Sequence, residues 1–289
     1  MELAEQWQKF WEQKRESLMD RSIFIGYDGR EAETFAICRH TLRKHAPDIP
    51  IHAICLDEVR NAGLYWRPTS RDEQGRLFDD ISGFPMSTEF AISRFLTPIM
   101  AKAAFRTGWA LFMDSDVLAR DDIDDLFGEC DPTKAVMCVK HQHNVIDGSV
   151  KMDGQVQNRY HRKNWSSVVA YNLQHPSNRK LTVQLINSVP GRDLHAFCWL
   201  EDEEIGELEP AWNYLVGSTK LTVESPKLVH HTEGGPWLPN YQDVEFAEEW
   251  RQARASWLKE GMDTRPTARI SALAPRRLNG SLMANGVAR

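Results

Sequence analysis

Two carboxylates separated by one residue close an apolar run, Ala110-Leu-Phe-Met-Asp114-Ser115-Asp116-Val-Leu118. An unpaired charge inside a core costs several kcal/mol, so a buried strand carries acids cheaply only at its end. Residues i and i+2 of an extended segment face the same side, which lets Asp114 and Asp116 converge on one hard divalent cation such as Mg²⁺ or Mn²⁺. The same tripeptide is compatible with a strand-ending turn whose side chains cap the next amides. A second apolar run, Leu228-Val229, ends on His230 and His231 and enters Thr-Glu-Gly-Gly-Pro-Trp237. Imidazole suits Mn²⁺ and suits Ca²⁺ poorly, so two aspartates with His230 lean toward manganese. A histidine held by hydrogen bonds within its turn is the structural alternative.

Both chemistry-bearing segments need strands that end at one edge of a sheet, and the chain supplies them. Ser22–Tyr27 predicts a strand, a turn at 28–31 leads into a helix over 32–44, and Ile51–Leu56 predicts the next strand. Strand, helix and strand in this order form a βαβ unit with parallel strands. Residues 57–90 are polar and weakly periodic, which predicts a long loop region above the sheet. A helix is expected over 92–107, then the strand 109–113 that delivers Asp114. Further strands are expected at 135–140 and 167–172 and near 228–230, with helices over 121–127 and 244–258. Open α/β sheets bind ligands at the carboxyl ends of their strands, so two suspicious strand ends reinforce each other.

The chain has 289 residues, 42% hydrophobic and 26% charged, the composition of a globular protein near the upper limit for one core. The expected plan is an N-terminal amphipathic helix over 1–21, one α/β domain over 22–260 and a basic, flexible tail over 261–289. No segment approaches the length of a spanning helix and the first twenty residues do not resemble a secretory signal, so a cytoplasmic location is expected. The tail and N-terminal helix suit peripheral contact with an anionic membrane, the alternative being a plain disordered end. A net charge of −6 argues against a nucleic-acid partner. The five cysteines lack a C-x-x-C pair and are expected to be buried free thiols.

Phe112-Met-Asp-Ser-Asp-Val-Leu118, Ile123-Asp-Asp-Leu-Phe127 and Val229-His-His-Thr-Glu-Gly-Gly-Pro-Trp237 together resemble the GT-A glycosyltransferases, in particular the retaining, family 8-like group that uses nucleotide sugars. The resemblance implies a Rossmann-like, mixed but mainly parallel sheet flanked by helices. It implies Mn²⁺ or Mg²⁺ held by Asp114, Asp116 and His230, a nucleotide-sugar donor, UDP-linked by analogy, and a glycan, glycolipid or lipopolysaccharide acceptor. Gly26, Tyr27 and Asp28 resemble the segment that holds the nucleoside, although Asp28 is equally a helix cap. Arg94 resembles the arginine facing the donor diphosphate, with pairing to an acid as its alternative. Ser115, Gly235 and Trp237 fall to the donor with their motifs. Asn164 and Ser166 lie where the family enters the sugar pocket, but the segment departs from the usual Asn-Ala-Gly pattern. Asp202 and Glu203 resemble the acids near the sugar and its anomeric carbon. Rival classes are a haloacid-dehalogenase-like phosphatase, a nucleotidyltransferase and a non-catalytic carbohydrate-binding protein.

Overall fold

The computed structural model describes residues 21–104, 107–142, 162–219 and 223–265. In chain order the strands are β1 (Arg21–Tyr27), β2 (Ile51–Cys55), β3 (Thr69–Arg71), β4 (Leu77–Asp79), β5 (Phe84–Met86), β6 (Trp109–Met113), β7 (Val117–Ala119), β8 (Val136–Cys138), β9 (Val168–Asn172), β10 (Ile205–Glu207), β11 (Tyr214–Leu215) and β12 (Leu228–His230). Six of them form the central sheet in the order β10-β8-β9-β6-β1-β2. Only β9 runs against its neighbours; β2, β1, β6, β8 and β10 share one direction. The mixed, mainly parallel sheet expected from the sequence is therefore present.

The inner strands read as unbroken apolar runs because both of their faces are covered. In β1, Phe24 joins Ile54, Phe90 and Phe112 on one face, while Ile23 and Ile25 join Leu111 and Met113 on the other. Register follows, with Phe24 opposite Phe112 and Ile25 opposite Met113, because a one-residue slip would exchange the two faces. Gly26 continues β1 where a side chain has no room: a β-carbon there would sit 2.2 Å from the Phe90 ring. Gly26→Ala is thus expected to cost about 1–3 kcal/mol through overpacking. An unshifted urea midpoint would refute this.

The 32–45 helix follows β1 as expected, with its entry turn set by Asp28, whose carboxylate accepts from the Arg30 backbone N–H. The helix foreseen over 92–107 is a 3-10 turn, Ser93–Leu96, followed by a helix from Thr97 to Ala104. The larger correction concerns 57–90. This stretch is no simple loop: it contains the helix Leu56–Asn61 and the antiparallel sheet β3-β4-β5. Its anchor is a buried ion pair, Arg67 Nε to Asp79 Oδ1 at 2.5 Å, with Arg67 Nη1 donating to the Ile186 carbonyl. Polar residues that find each other in three dimensions leave no period in the sequence.

All five cysteines are free; Cys38, Cys55 and Cys138 are buried as expected, whereas Cys198 is exposed. The expected N-terminal helix, apart from Arg21, and the tail beyond 265 lie outside the described residues. Among the described residues no helix is long and apolar enough to cross a membrane.

Candidate active site

The site forms where β6 ends. Asp114 is held by its backbone N–H, which donates to the Ser167 carbonyl at 2.9 Å. The chain then turns through Ser115 and Asp116 into β7, which pairs antiparallel with β12 so that Val117 lies opposite His230. The His231 N–H donates to the Asp116 carbonyl at 3.1 Å and secures the junction. That register brings His230 Nε2 to 3.0 Å from Asp116 Oδ1 and 3.9 Å from Asp114 Oδ2. One ligand atom from each of the three residues lies within 4.8 Å of the others. Asp116 Oδ1 and His230 Nε2 are buried yet make no aligned hydrogen bond. Two buried polar atoms facing each other in this way suit a shared cation better than each other, so the donor set fits a divalent metal.

Charge among the cluster's own side chains is balanced. Arg94 Nη1 lies 2.8 Å from Asp114 Oδ1 and also donates to the Ser166 carbonyl, while Nε donates to the Ala91 carbonyl. Its guanidinium is packed against Phe90 and Phe112, 5.4 and 5.0 Å from the ring centroids. Arg94 is therefore a fixed cation bound to a cluster aspartate. Burial alone would raise the Asp116 pKa, but the facing His230 charge more than offsets it and holds Asp116 below the usual carboxylate value. Burial would likewise lower His230, and the Asp116 carboxylate reverses that, so the imidazole stays protonated above its ordinary 6.5.

A cleft of about 270 Å³ opens in front of these residues. Among the expected site residues, Arg94, Asp114, Ser115, Asp116, Asn164, Ser166 and Trp237 line it. Two lining residues, Glu31 and His195, carried no weight in the sequence, and a third, His231, stood there as the alternative to His230. Glu31 ends the turn before the 32–45 helix without capping it, and burial, then Asp116, push its pKa up to about 7. His195 Nδ1 lies 2.7 Å from Ser166 Oγ, and burial, then Arg94, hold the imidazole down at about 3, so it is neutral. His231 is buried against the edge of Trp237, with neither ring nitrogen hydrogen-bonded among the described residues. An acid at a helix entry that makes no cap would have been a usable signal for Glu31. His195 offered none.

No model of a known protein family matches the chain. Protein CDI of Arabidopsis thaliana is 41% identical over 243 residues, which covers 82% of this chain and 87% of that protein. The chain belongs to the Protein CDI family. Among solved structures, the bifunctional glycosyltransferase WbbM in its apo form superposes with a TM-score of 0.52 at 17% identity, covering 85% of this chain and 52% of that one. The glycosyltransferase GlyE of Streptococcus pneumoniae TIGR4 gives 0.51 at 13% identity, covering 86% and 66%. This chain thus spans about half and about two thirds of those proteins. The likeness is one of fold, and the fold of this Protein CDI relative is the GT-A fold of glycosyltransferases.

Several resemblance-derived positions stand apart from the cleft lining of this family member. Asp28 is buried, and its two oxygens accept from Arg30 and from the Glu89 N–H, so the capping alternative is realised. Tyr27 is edge-on to Phe35 at 5.1 Å, Gly26 accommodates Phe90, and Gly235 accommodates the Trp237 ring, 2.0 Å from where its β-carbon would lie. Asp202 and Glu203 sit exposed on the 3-10 turn Asp202–Glu204, with Asp202 paired to Arg162. Neither lines the cleft. The spacing of four consecutive acids is thus accounted for by a solvated turn whose Glu201 and Glu204 form a capping box.

Proposed function

We propose that the chain is a metal-dependent glycosyltransferase that moves a sugar from a nucleotide-sugar donor, UDP-linked by family resemblance, to a hydroxyl of a glycan or glycolipid, with retention. The single observation carrying this reading is the Asp114–Asp116–His230 cluster at the carboxyl end of a parallel strand in a GT-A fold. Asp114, Asp116 and His230 would hold Mn²⁺ or Mg²⁺. When bound, such a cation neutralises charge developing on a leaving diphosphate. Arg94 fixes Asp114 in place and adds a positive charge at the same wall. Asn164 and Ser166, which line the cleft, are the candidates for sugar contact. Trp237 and the neighbouring exposed Leu238 form an apolar rim suited to an acceptor. For Asp202 and Glu203 the family resemblance is the sole support for a place beside the donor sugar and its anomeric carbon, since they sit exposed on the Asp202–Glu204 turn and do not line the cleft.

The test is a thermal-shift panel of UDP-, GDP-, CMP- and ADP-sugars with and without Mn²⁺, followed by NMR of the first-formed product. A cation-dependent shift for one donor with transfer and a retained anomer supports the reading. Phosphate release from simple monoesters without sugar transfer would favour the phosphatase class instead, and an inverted anomer would end the claim of retention.

The balanced cluster also predicts a pH dependence. A cation and a proton compete for His230, whose protonated form is favoured by Asp116 to a pKa above the ordinary 6.5. Cation affinity should therefore rise with pH, by about tenfold per unit while His230 is protonated, and level off above its raised pKa. Calorimetric titration of Mn²⁺ from about pH 6 to about pH 9 reads this directly. A flat profile would contradict it.

A further inference from the structure

Asn213 is completely buried on the 3-10 turn Pro210–Asn213, just ahead of β11. The turn cannot drift. Trp212 beside it is also fully buried, its indole N–H donates to Glu129 Oε1 at 2.6 Å, and Lys227 covers its ring at 4.4 Å. β11 pairs with β12 so that Leu215 lies opposite His230, which places the Asn213 side chain beside the His230 ring. Its Oδ1 is 2.9 Å from His230 Nδ1, and its Nδ2 is 3.0 Å from Ser167 Oγ and 3.4 Å from the Asn164 carbonyl.

The hydrogen-bond chain fixes every proton along it. Ser167 Oγ–H donates to the Asn164 carbonyl at 2.7 Å, so the hydroxyl presents only a lone pair to Asn213. A backbone carbonyl accepts and never donates. The NH₂ end of Asn213 must therefore face Ser167 and Asn164, which turns its carbonyl oxygen to His230. His230 must in turn carry a proton on Nδ1. Once its ring is neutral, the lone pair lies on Nε2, the nitrogen facing Asp114 and Asp116.

We infer that Asn213 is a positioning residue for the cation site: it selects the Nδ1–H form of His230 and aims Nε2 at the cation. The same amide ties His230 to the turn carrying Asn164 and Ser166, both of which line the cleft. Asn164 holds a left-handed backbone, φ 64°, and Ser167 and Asn213 both hydrogen-bond its carbonyl. Cation site and pocket wall are thus one hydrogen-bonded unit. The inference rests on the cation reading above, and its first test is independent of any metal.

That test is ¹⁵N NMR of the histidine rings in the metal-free full chain at a pH where His230 is neutral, with the His230→Ala variant identifying the resonance. A pyrrole-type Nδ1 and a pyridine-type Nε2 are expected; the opposite pattern in the wild-type ring overturns the inference. Calorimetry with Mn²⁺ alone then compares wild type with Asn213→Ala and Ser167→Ala. Partners of metal-binding histidines typically contribute about 10–100-fold in affinity, so Asn213→Ala should weaken Mn²⁺ by that factor and mix the two ring forms. Ser167→Ala, which removes one acceptor of the Asn213 amide together with the hydroxyl's bond to the Asn164 carbonyl but leaves the Asn213–His230 bond, should weaken Mn²⁺ by a smaller factor. A folded Asn213→Ala protein that binds Mn²⁺ as wild type does overturns this role alone. A wild type that takes up no Mn²⁺ overturns the cation reading and this inference with it.

Discussion

Asp116→Asn is expected to abolish measurable Mn²⁺ binding and to lower sugar transfer by roughly 10³-fold or more, while the protein stays folded. The expected size follows from the chemistry proposed. Charge stabilisation by a bound cation contributes several kcal/mol at the transition state, and each 1.36 kcal/mol is about tenfold in rate. The substitution keeps the shape of the side chain and removes the charge that faces His230 at 3.0 Å. Without that charge the main counterweight to the burial of His230 is gone and only the more distant Asp114 still favours the protonated ring, so the His230 pKa falls. No buried cation is then left unpaired, which is why the fold should survive. The measurement pairs calorimetry with a donor-consumption assay, and a melting curve verifies folding. Cation-dependent transfer at wild-type rate in Asp116→Asn would remove Asp116 from the site.

The cluster itself was legible because its members stand at the ends of apolar runs. Met113 and Val229 are fully buried, and acids or imidazoles directly after such residues have no cheap structural reason to be there. Which partner serves which ligand was not legible. The bond from Asn213 to His230 joins residues 17 apart in sequence, and only the β11–β12 register brings them together. Arg94 illustrates the same limit: resemblance faced it toward a diphosphate with an acid as its alternative partner, and only the fold shows Asp114, Ala91 and Ser166 sharing its fork while it lines the cleft. Asp202 and Glu203 are the converse case, since their part rests on resemblance while the fold sets that run of acids on an exposed turn outside the cleft lining.

The fold was legible for a related reason. β1, β2, β6 and β9 are buried on both faces and announce themselves as continuous apolar segments. β3, β4 and β5 have three residues each, with no burial pattern common to the three, too short for any period to emerge. What holds that small sheet is a pair of charges rather than a pattern, and a sequence reading has no access to such a pair.

Asp79→Ala accordingly should be the most destabilising of the substitutions considered. Arg67 is fully buried, and its Nε and Nη2 donate to the two Asp79 oxygens at 2.5 and 2.7 Å. Asp79 also accepts from the Ser82 N–H and hydroxyl, closing the turn between β4 and β5. Removing the carboxylate strands a guanidinium that water cannot reach, and breaking a buried pair in this way costs about 3–5 kcal/mol. Chemical unfolding should show a midpoint shift of that size with an unchanged slope. Replacing both partners at once, Arg67→Met with Asp79→Leu, removes the stranded charge along with the pair and should cost far less. If the single and the double variants unfold at the same midpoint, the loss comes from packing, and the ion pair is not what holds β3-β4-β5 beside the cleft.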